Sequence, residues 1–177
     1  MSAPGAAAAR PLSLELGEFV SGLEFADLPP ELVAHAQLCL LDTLGCGLFG
    51  STLEWSRILT RTVAKVDAGA TSAVWGTGQR LGPLNAALAN GSAVHGFELD
   101  DLHKESILHA GSVVAPAVFA AAEIRGGVSG AELLTALVAG YEVGARIGMT
   151  IGTPHLLQGW HPTGTHGALA AAAAASK

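Results

Sequence analysis

Residues 90–123 read NGSAVHGFELDDLHKESILHAGSVVAPAVFAAAE, and this stretch decides how the chain folds. Its centre, residues 95–112, holds three histidines, four acidic residues and one lysine, although only 14% of the whole chain is charged. The flanking residues are mostly small and apolar. Small residues on every turn of 81–101 suit a closely packed helix, and Val113–Arg125 has the pattern of the next one. The stretch therefore predicts a packed helical protein that carries its titratable groups at one place.

Apolar residues at helical spacing predict further helices on both sides of this stretch. The additional predicted helices are residues 12–23, 27–50, 55–66 and 130–149, and a last one from Ala168. Residues 27–50 are apolar nearly all the way round, so we predict a central, buried helix there. Residues 71–78 predict one strand or an extended connector, and residues 148–167, rich in glycine and proline, predict a loop. The predicted fold class is all-α.

Composition limits the class of protein further. A chain of 177 residues with a net charge of −6 and no basic block is one domain in size and is unsuited to nucleic acid. Cys39 and Cys46 are predicted to be buried thiols in a reducing compartment. No apolar run reaches about 18 residues without interruption, so we predict no membrane span and a cytoplasmic protein. Residues 1–12 are predicted to be a flexible tail before a helical domain over 13–177.

The alanine-rich end of the chain, Ala168–Ala175, predicts a helix with no polar stop after it. Such a helix is marginal alone, so we expect it to pack against something that follows. The chain is therefore predicted to be a fragment of a longer protein. The alternative is a natural C-terminus that docks on its own domain.

Six of the seven histidines lie between residues 95 and 166, and two share a context. His109 precedes a predicted helix with Ser112 as its N-cap, and His161 precedes another with Thr163 or Thr165 as its cap. Free backbone N–H groups make helix N-termini suitable for carboxylates, and histidine serves as acid or base near neutral pH. The pattern thus favours a substrate with several carboxylates. The alternative is that both are ordinary loop or capping histidines.

The acidic residues of the central stretch are the next candidates. On a helix, Glu98 and Asp101 share a face at i, i+3, whereas Asp100 points away from both. Two close carboxylates raise the pKa of one of them, which creates a proton donor or acceptor. The alternative is a solvated helix end where Asp101 pairs with Lys104.

Metal and nucleotide sites are not favoured by the motifs. The pairs His95–Glu98 and Asp100–His103 have ligand spacing, but no HExxH or CxxC supports them. Residues 76–82, GTGQRLG, lack the third glycine and the lysine of a phosphate-binding loop. We therefore predict neither a metal nor a cofactor.

Residues 90–123 and GWHPTGTHGALAAAAAAS, residues 159–176, resemble in this order the two landmarks of the MmgE/PrpD family. LPPELVAHAQLCLLDTLGCGLFGS, residues 28–51, is similar to its N-terminal helix pair. The family includes 2-methylcitrate dehydratase, cis-aconitate decarboxylase and iminodisuccinate epimerase, which act on small polycarboxylates without an iron–sulfur cluster. Its fold has a large helical domain and a smaller α/β lid domain, and members are commonly homodimers. The resemblance implies the N-terminal part of the helical domain, without the lid.

The resemblance also implies roles for single residues. His109 and His161 match the family's two active-site histidines, Glu98 an acidic active-site residue, and Asp101 the second acid of an Asp-Asp pair. Leu102 stands where many members have threonine. We expect these four polar residues to be catalytic and further contacts to the substrate to come from His103, Lys104, Ser112 and Thr165.

The expected function is that of a lyase, specifically a hydro-lyase like 2-methylcitrate dehydratase. We expect it to act on a small di- or tricarboxylate by acid–base chemistry without a cofactor. We also expect the protein to be a homodimer. One of His109 and His161 would move the proton next to a carboxylate. A cis-aconitate decarboxylase or an iminodisuccinate epimerase-like isomerase is the alternative. An alternative of another class is a truncated, non-catalytic helical module for binding or dimerisation. Family members are much longer and carry a catalytic lysine beyond residue 177, so this chain alone is expected to be inactive.

Overall fold

The computed structural model describes residues 10–177, and the predicted tail over residues 1–12 therefore lies mostly outside the described residues. The chain in this range is helical. Its helices are α1 (Leu12–Gly22), α2 (Pro30–Gly50), α3 (Glu54–Ala64), α4 (Pro83–His95), α5 (Ala110–Ile124), α6 (Gly130–Leu157), α7 (Pro162–Thr165) and α8 (Gly167–Ser176). A 3-10 turn at Phe25–Asp27 and two short strands, β1 (Ser72–Ala73) and β2 (Arg80–Leu81), complete it. The all-α prediction is confirmed.

Helix α5 is the centre of the fold, since it packs against α4, α6 and α8 and also contacts α2. Val114 and Val118 of α5 belong to the main apolar core together with Leu137 of α6. Small residues allow the close approach of these helices. A Cβ on Gly140 of α6 would come within 2.7 Å of the Cβ of Ala174 in α8. Close packing of glycine and alanine thus holds the helices that carry the histidines.

Helix α8 packs against helices that precede it in the chain. Ala170 and Ala174 are 0% and 2% exposed and lie against α6 and α5. Gly144 of α6 leaves room for Ala170, because a Cβ there would lie 2.7 Å from the alanine Cβ. The alanine run therefore fits a surface that α6 lines with glycines at four-residue spacing.

Helix α2 is not the buried central helix that its composition predicts. Its buried residues are mainly small, whereas Leu38, Leu41, Leu48 and Phe49 are exposed. It is long and apolar enough to cross a membrane by length and composition, a property that core helices of soluble proteins share. Apolar composition alone does not show whether another part of the structure covers a helix. For this reason the prediction that α2 is buried was wrong. Both cysteines are free thiols; Cys46 is buried as predicted, whereas Cys39 is only partly buried.

Three further predictions differ from the structure. Helix α2 starts at Pro30 rather than Asp27, because the Asp27 carboxylate accepts a hydrogen bond from the Glu24 N–H within the 3-10 turn. Residues 71–78 contribute β1 of a two-stranded antiparallel pair instead of one isolated strand. The predicted loop 148–167 is largely helical.

Helix α6 continues through this predicted loop to Leu157, with a kink at Gly152. The φ of Gly152 is 60°, a left-handed conformation that glycine adopts at little cost. The helix resumes at Pro154, which has no N–H to bond to the preceding turn. Glycine and proline here mark a bend between two helical parts.

Gly111, in the first turn of α5, lies where α2, α6 and the segment before α5 meet. A Cβ on this residue would lie 2.1 Å from Thr43 Oγ1, 2.6 Å from Asp101 Oδ1 and 3.0 Å from the Tyr141 hydroxyl. None of these neighbours is a freely moving surface side chain, because Thr43 is buried and Asp101 is held by a hydrogen bond from the Gly111 N–H. Only glycine fits at this position.

We predict that Gly111→Ala lowers the free energy of unfolding by about 1–3 kcal/mol, the usual cost of overpacking a core. Urea denaturation monitored by circular dichroism measures the change. Gly45→Ala in α2 is the matched control, since a Cβ there has no neighbour within 4 Å and alanine is the better helix former. Equal stability of the two variants would contradict this packing.

Candidate active site

The polar segment between α4 and α5, residues 96–109, is an irregular turn and not the helix that was predicted. Helix α4 ends at His95. Glu98 has a φ of 56°, the left-handed region that non-glycine residues rarely adopt. The i, i+3 pairing of Glu98 with Asp101 therefore does not exist, and Asp100 turns inward rather than away.

The side chain of Asp100 is fully buried between two imidazole rings. Its Oδ1 lies 3.2 Å from Nδ1 of His95 and 3.2 Å from Nδ1 of His109. His95 is hydrogen-bonded to the carboxylate, whereas the buried Nδ1 of His109 has no hydrogen-bond geometry to it. The centres of the two rings are 4.5 Å apart. One buried carboxylate thus holds two histidines in contact.

Helix α7 brings the third histidine to the same place. The backbone N–H of His109 donates to the hydroxyl of the buried Thr163, with 3.1 Å between the atoms. This bond ties α7 to the start of α5. Nε2 of His161, two residues earlier, lies 3.5 Å from Nε2 of His95. We call His95, His109 and His161 the histidine cluster.

His109 and His161 are the N-cap residues of α5 and α7, so the prediction that each precedes a helix is confirmed. The predicted caps were wrong. Ser112 lies inside α5, where its hydroxyl donates to the His109 carbonyl at 2.8 Å. The chain itself uses N–H groups of both first turns: that of Gly111 donates to Asp101, and that of Gly164 to the ring of His161. Substrate carboxylates would therefore meet side chains more than free helix ends.

Asp101 does not line the histidine cluster; its carboxylate is bonded to the first turn of α5. It accepts the Gly111 N–H at 2.9 Å, and burial raises the pKa of its carboxyl above the ordinary value. Burial, together with the nearby Asp101 carboxylate, also raises the pKa of the Tyr141 hydroxyl. Asp101 thus anchors the start of α5, the helix that His109 caps.

Of the predicted substrate contacts, His103 and Lys104 lie apart from the histidine cluster, whereas the Thr165 hydroxyl is 3.2 Å from the backbone carbonyl of His161. Nδ1 of His103 is 2.9 Å from the Ser106 hydroxyl, and this histidine lines a separate cavity between α2 and α6. The hydroxyl of Thr165 is 2.8 Å from Nε2 of His155. Lys104 is exposed and has no salt-bridge partner among residues 10–177.

Glu98 completes the open side of the cluster. Its carboxylate oxygens lie 3.6 Å from Nε2 of His95 and 3.7 Å from Nε2 of His109, while the side chain is 68% exposed. The hydrogen bond to Asp100 raises the pKa of His95 above its ordinary value, and burial opposes this shift. A cavity of about 430 Å³, lined mostly by small apolar residues of α4, α5 and α8, opens beside His95 and His161.

Two groups have metal-ligand spacing, namely His95 with Asp100 and His109, and His95 with Glu98 and His161. The hydrogen bonds compete with both. Nδ1 of His161 accepts the Gly164 N–H, so Nε2 carries the proton and offers no lone pair. In the first group, Nδ1 of His95 is hydrogen-bonded to Asp100.

His95, Asp100 and Thr163 are the site residues that sequence reasoning missed. His95 was considered only in a weak metal pair with Glu98. Asp100 was considered in a second such pair and as a carboxylate that points away from Glu98 and Asp101, and Thr163 only as a helix cap. The available signal was the place of His95 at the end of a helix, directly before a turn rich in acids. No local sequence pattern shows that His161 lies next to His95 in the fold.

Comparison with known proteins identifies the family of this chain. The model of the MmgE/PrpD N-terminal domain matches residues 14–177, and the chain belongs to the MmgE/PrpD family. It is 39% identical over 173 residues to a cis-aconitate decarboxylase-like protein, oryM, of Aspergillus oryzae, covering 94% of this chain and 36% of that protein. It is 35% identical over 171 residues to a cis-aconitate decarboxylase of Aspergillus terreus, covering 94% and 35%.

The human cis-aconitate decarboxylase is 32% identical over 163 residues, covering 89% of this chain and 34% of the human protein. The chain thus spans about a third of the length of the curated relatives that it matches. The resemblance to the MmgE/PrpD family is confirmed over the N-terminal part. These relatives are named cis-aconitate decarboxylase or cis-aconitate decarboxylase-like, and the prediction of a 2-methylcitrate dehydratase is not confirmed.

The ion pair of His95 with Asp100 predicts a pH dependence of stability. The folded pKa of His95 is raised, so its contribution is complete below its unfolded pKa of about 6.5 and is lost as pH rises through the folded value. We expect the difference in unfolding free energy between the wild type and His95→Gln to shrink as pH rises above about 6.5. Urea denaturation between pH 5 and 9 measures it. A difference that grows with pH would contradict the pair.

Proposed function

We propose that the protein acts as a lyase on a small polycarboxylate, with cis-aconitate decarboxylation as its reaction. The histidine cluster around the buried Asp100 carries this proposal, because it places acid–base groups at both family landmarks. The names of the relatives favour decarboxylation over the dehydration of 2-methylcitrate.

Decarboxylation of cis-aconitate balances as follows. The bond between the saturated methylene and its carboxylate breaks, and CO₂ leaves. The electron pair forms a new double bond to the central carbon, and the old double bond shifts its electrons to the far carbon. That carbon takes one proton and becomes the methylene of itaconate. An enzyme of this kind must bind carboxylates and supply one proton next to a carboxylate.

The described residues can serve both needs. The Nε2–H of His161 is a donor on the exposed side of the cluster, suited to a substrate carboxylate. The protonated form of His95, whose pKa is raised by the hydrogen bond to Asp100, adds the positive charge that a tricarboxylate requires near the carboxylates of Glu98 and Asp100. Nδ1 of His109 lies 3.2 Å from the Asp100 carboxylate, which His95 also contacts. Nε2 of His109 lies 3.7 Å from the Glu98 carboxylate. We assign these groups to binding and proton transfer.

The expected homodimer and cytoplasmic location stay predictions. A non-catalytic module that binds a polyacid is the competing function. It has the same carboxylate-binding groups and differs only in the absence of turnover, so the assay decides between them.

Proton NMR in D₂O with cis-aconitate tests the proposal. We expect itaconate with one deuterium on its saturated methylene, since solvent supplies the added proton. His109→Gln should lower the rate, because His109 lies at the same Asp100 carboxylate as His95 and is the N-cap residue of α5. His35→Asn, an exposed histidine on α2, is the control and should keep the wild-type rate.

The assay is run on this chain and on the complete reading frame that contains it. Itaconate from the longer form alone assigns the activity to the whole protein and one wall of its site to this chain. Methylcitrate turnover with no itaconate would replace decarboxylation by dehydration. Binding of cis-aconitate with no turnover by either form would establish the non-catalytic module.

A further inference from the structure

The proton positions in the histidine cluster follow from one backbone hydrogen bond. The N–H of Gly164 lies 3.1 Å from Nδ1 of His161. A backbone N–H can only donate, so Nδ1 of this ring is an acceptor without a proton. The proton of the neutral ring must therefore be on Nε2. His161 is fixed in this form because Nδ1 caps helix α7.

The other end of the chain of contacts is also fixed. The buried Asp100 carboxylate can only accept, so Nδ1 of His95 carries a proton and donates to it over 3.2 Å. Nε2 of neutral His95 then keeps its lone pair. That lone pair faces the Nε2–H of His161 at 3.5 Å, a long contact between a donor and an acceptor. Donors and acceptors alternate from His161 through His95 to Asp100.

We propose that His95, oriented by Asp100, is the residue that gains and loses the proton during the reaction, and that His161 is a neutral hydrogen-bond donor to a substrate carboxylate. This inference rests on the proposed function. It changes the expectation from sequence, in which one of His109 and His161 moves the proton.

The alternation explains why the roles differ. His161 can take a second proton only on Nδ1, which would cost the hydrogen bond that begins α7. His95 can take one on Nε2 while Nδ1 remains bonded to Asp100; this ends the 3.5 Å contact with Nε2 of His161, whose N–H is then available to a substrate carboxylate. A carboxylate that orients an imidazole and stabilises its charged form is the arrangement that general bases use in hydrolases.

The surroundings of His95 also favour its charged form. The titratable groups that face it are the carboxylates of Glu98 and Asp100 and the rings of His109 and His161. The hydrogen bond to Asp100 raises the pKa of His95 despite partial burial. His95 also lines the cavity beside His161, where a substrate carbon can approach it.

The proton positions are tested by NMR of the wild-type chain labelled with ¹⁵N in histidine. We expect His161 in the Nε2–H form and His95 protonated on Nδ1 and titrating on Nε2. Asp100→Asn should lower the pKa of His95, because the charged hydrogen-bond partner is lost. Protonated Nδ1 on His161, or Nδ1 of His95 without a proton, overturns the inference whether or not the protein turns over substrate.

The catalytic role is tested by activity in the form of the protein that makes itaconate. His95→Ala should lose about 10²–10⁴-fold in kcat. Added imidazole should restore part of this rate, which it would not do for a residue that only supports the fold. His35→Ala with and without imidazole is the control, at wild-type rate in both cases.

The two failures are distinguishable. No turnover by the wild-type protein overturns the proposed function and, with it, the catalytic role of His95. Turnover by the wild type with His95→Ala at the wild-type rate, or without any rescue by imidazole, overturns only the role given to His95.

Discussion

The buried carboxylate of Asp100 is the constraint on which the rest of the site depends. A charge without water is costly unless polar partners surround it. Here the partners are two imidazoles, one hydrogen-bonded at 3.2 Å and one at the same distance without hydrogen-bond geometry. The need to satisfy this carboxylate draws together the end of α4 and the start of α5. The third imidazole, on α7, contacts the ring of His95 and completes the cluster.

Small residues make this arrangement possible. Gly111 leaves room for Thr43, Asp101 and Tyr141 at the start of α5. Gly140 and Gly144 let α8 approach α6 closely. This packing fixes the position of α8, the helix that directly follows α7. The high alanine and glycine content is thus a packing requirement. It allows helices to approach so closely that a turn, a helix end and a four-residue helix meet at one carboxylate.

The sequence predicted the parts of the fold that depend on local pattern. Most helices, the all-α class and the positions of His109 and His161 before helices follow from spacing and capping. It did not predict which face of α2 is exposed, because apolar residues such as Leu41 do not show which other residues, if any, cover them. The bend at Gly152 was read as a loop, since glycine and proline mark bends as well as ends.

The site itself was predicted only in part, for a related reason. His109, His161 and Glu98 were selected by local motif and by family resemblance, and they do lie together. His95 and Asp100 were not, because they come together through an irregular turn with a left-handed φ at Glu98, which local pattern does not predict. The hydroxyl of Thr163, 54 residues from the N–H that it binds, is equally invisible to local reasoning.

The most direct test of the central claim is a crystal structure of the chain with a tricarboxylate bound. The account predicts one carboxylate within hydrogen-bond distance of Nε2 of His161, next to His95. A tricarboxylate bound instead in the cavity lined by His103 between α2 and α6, with the histidine cluster free, would contradict it.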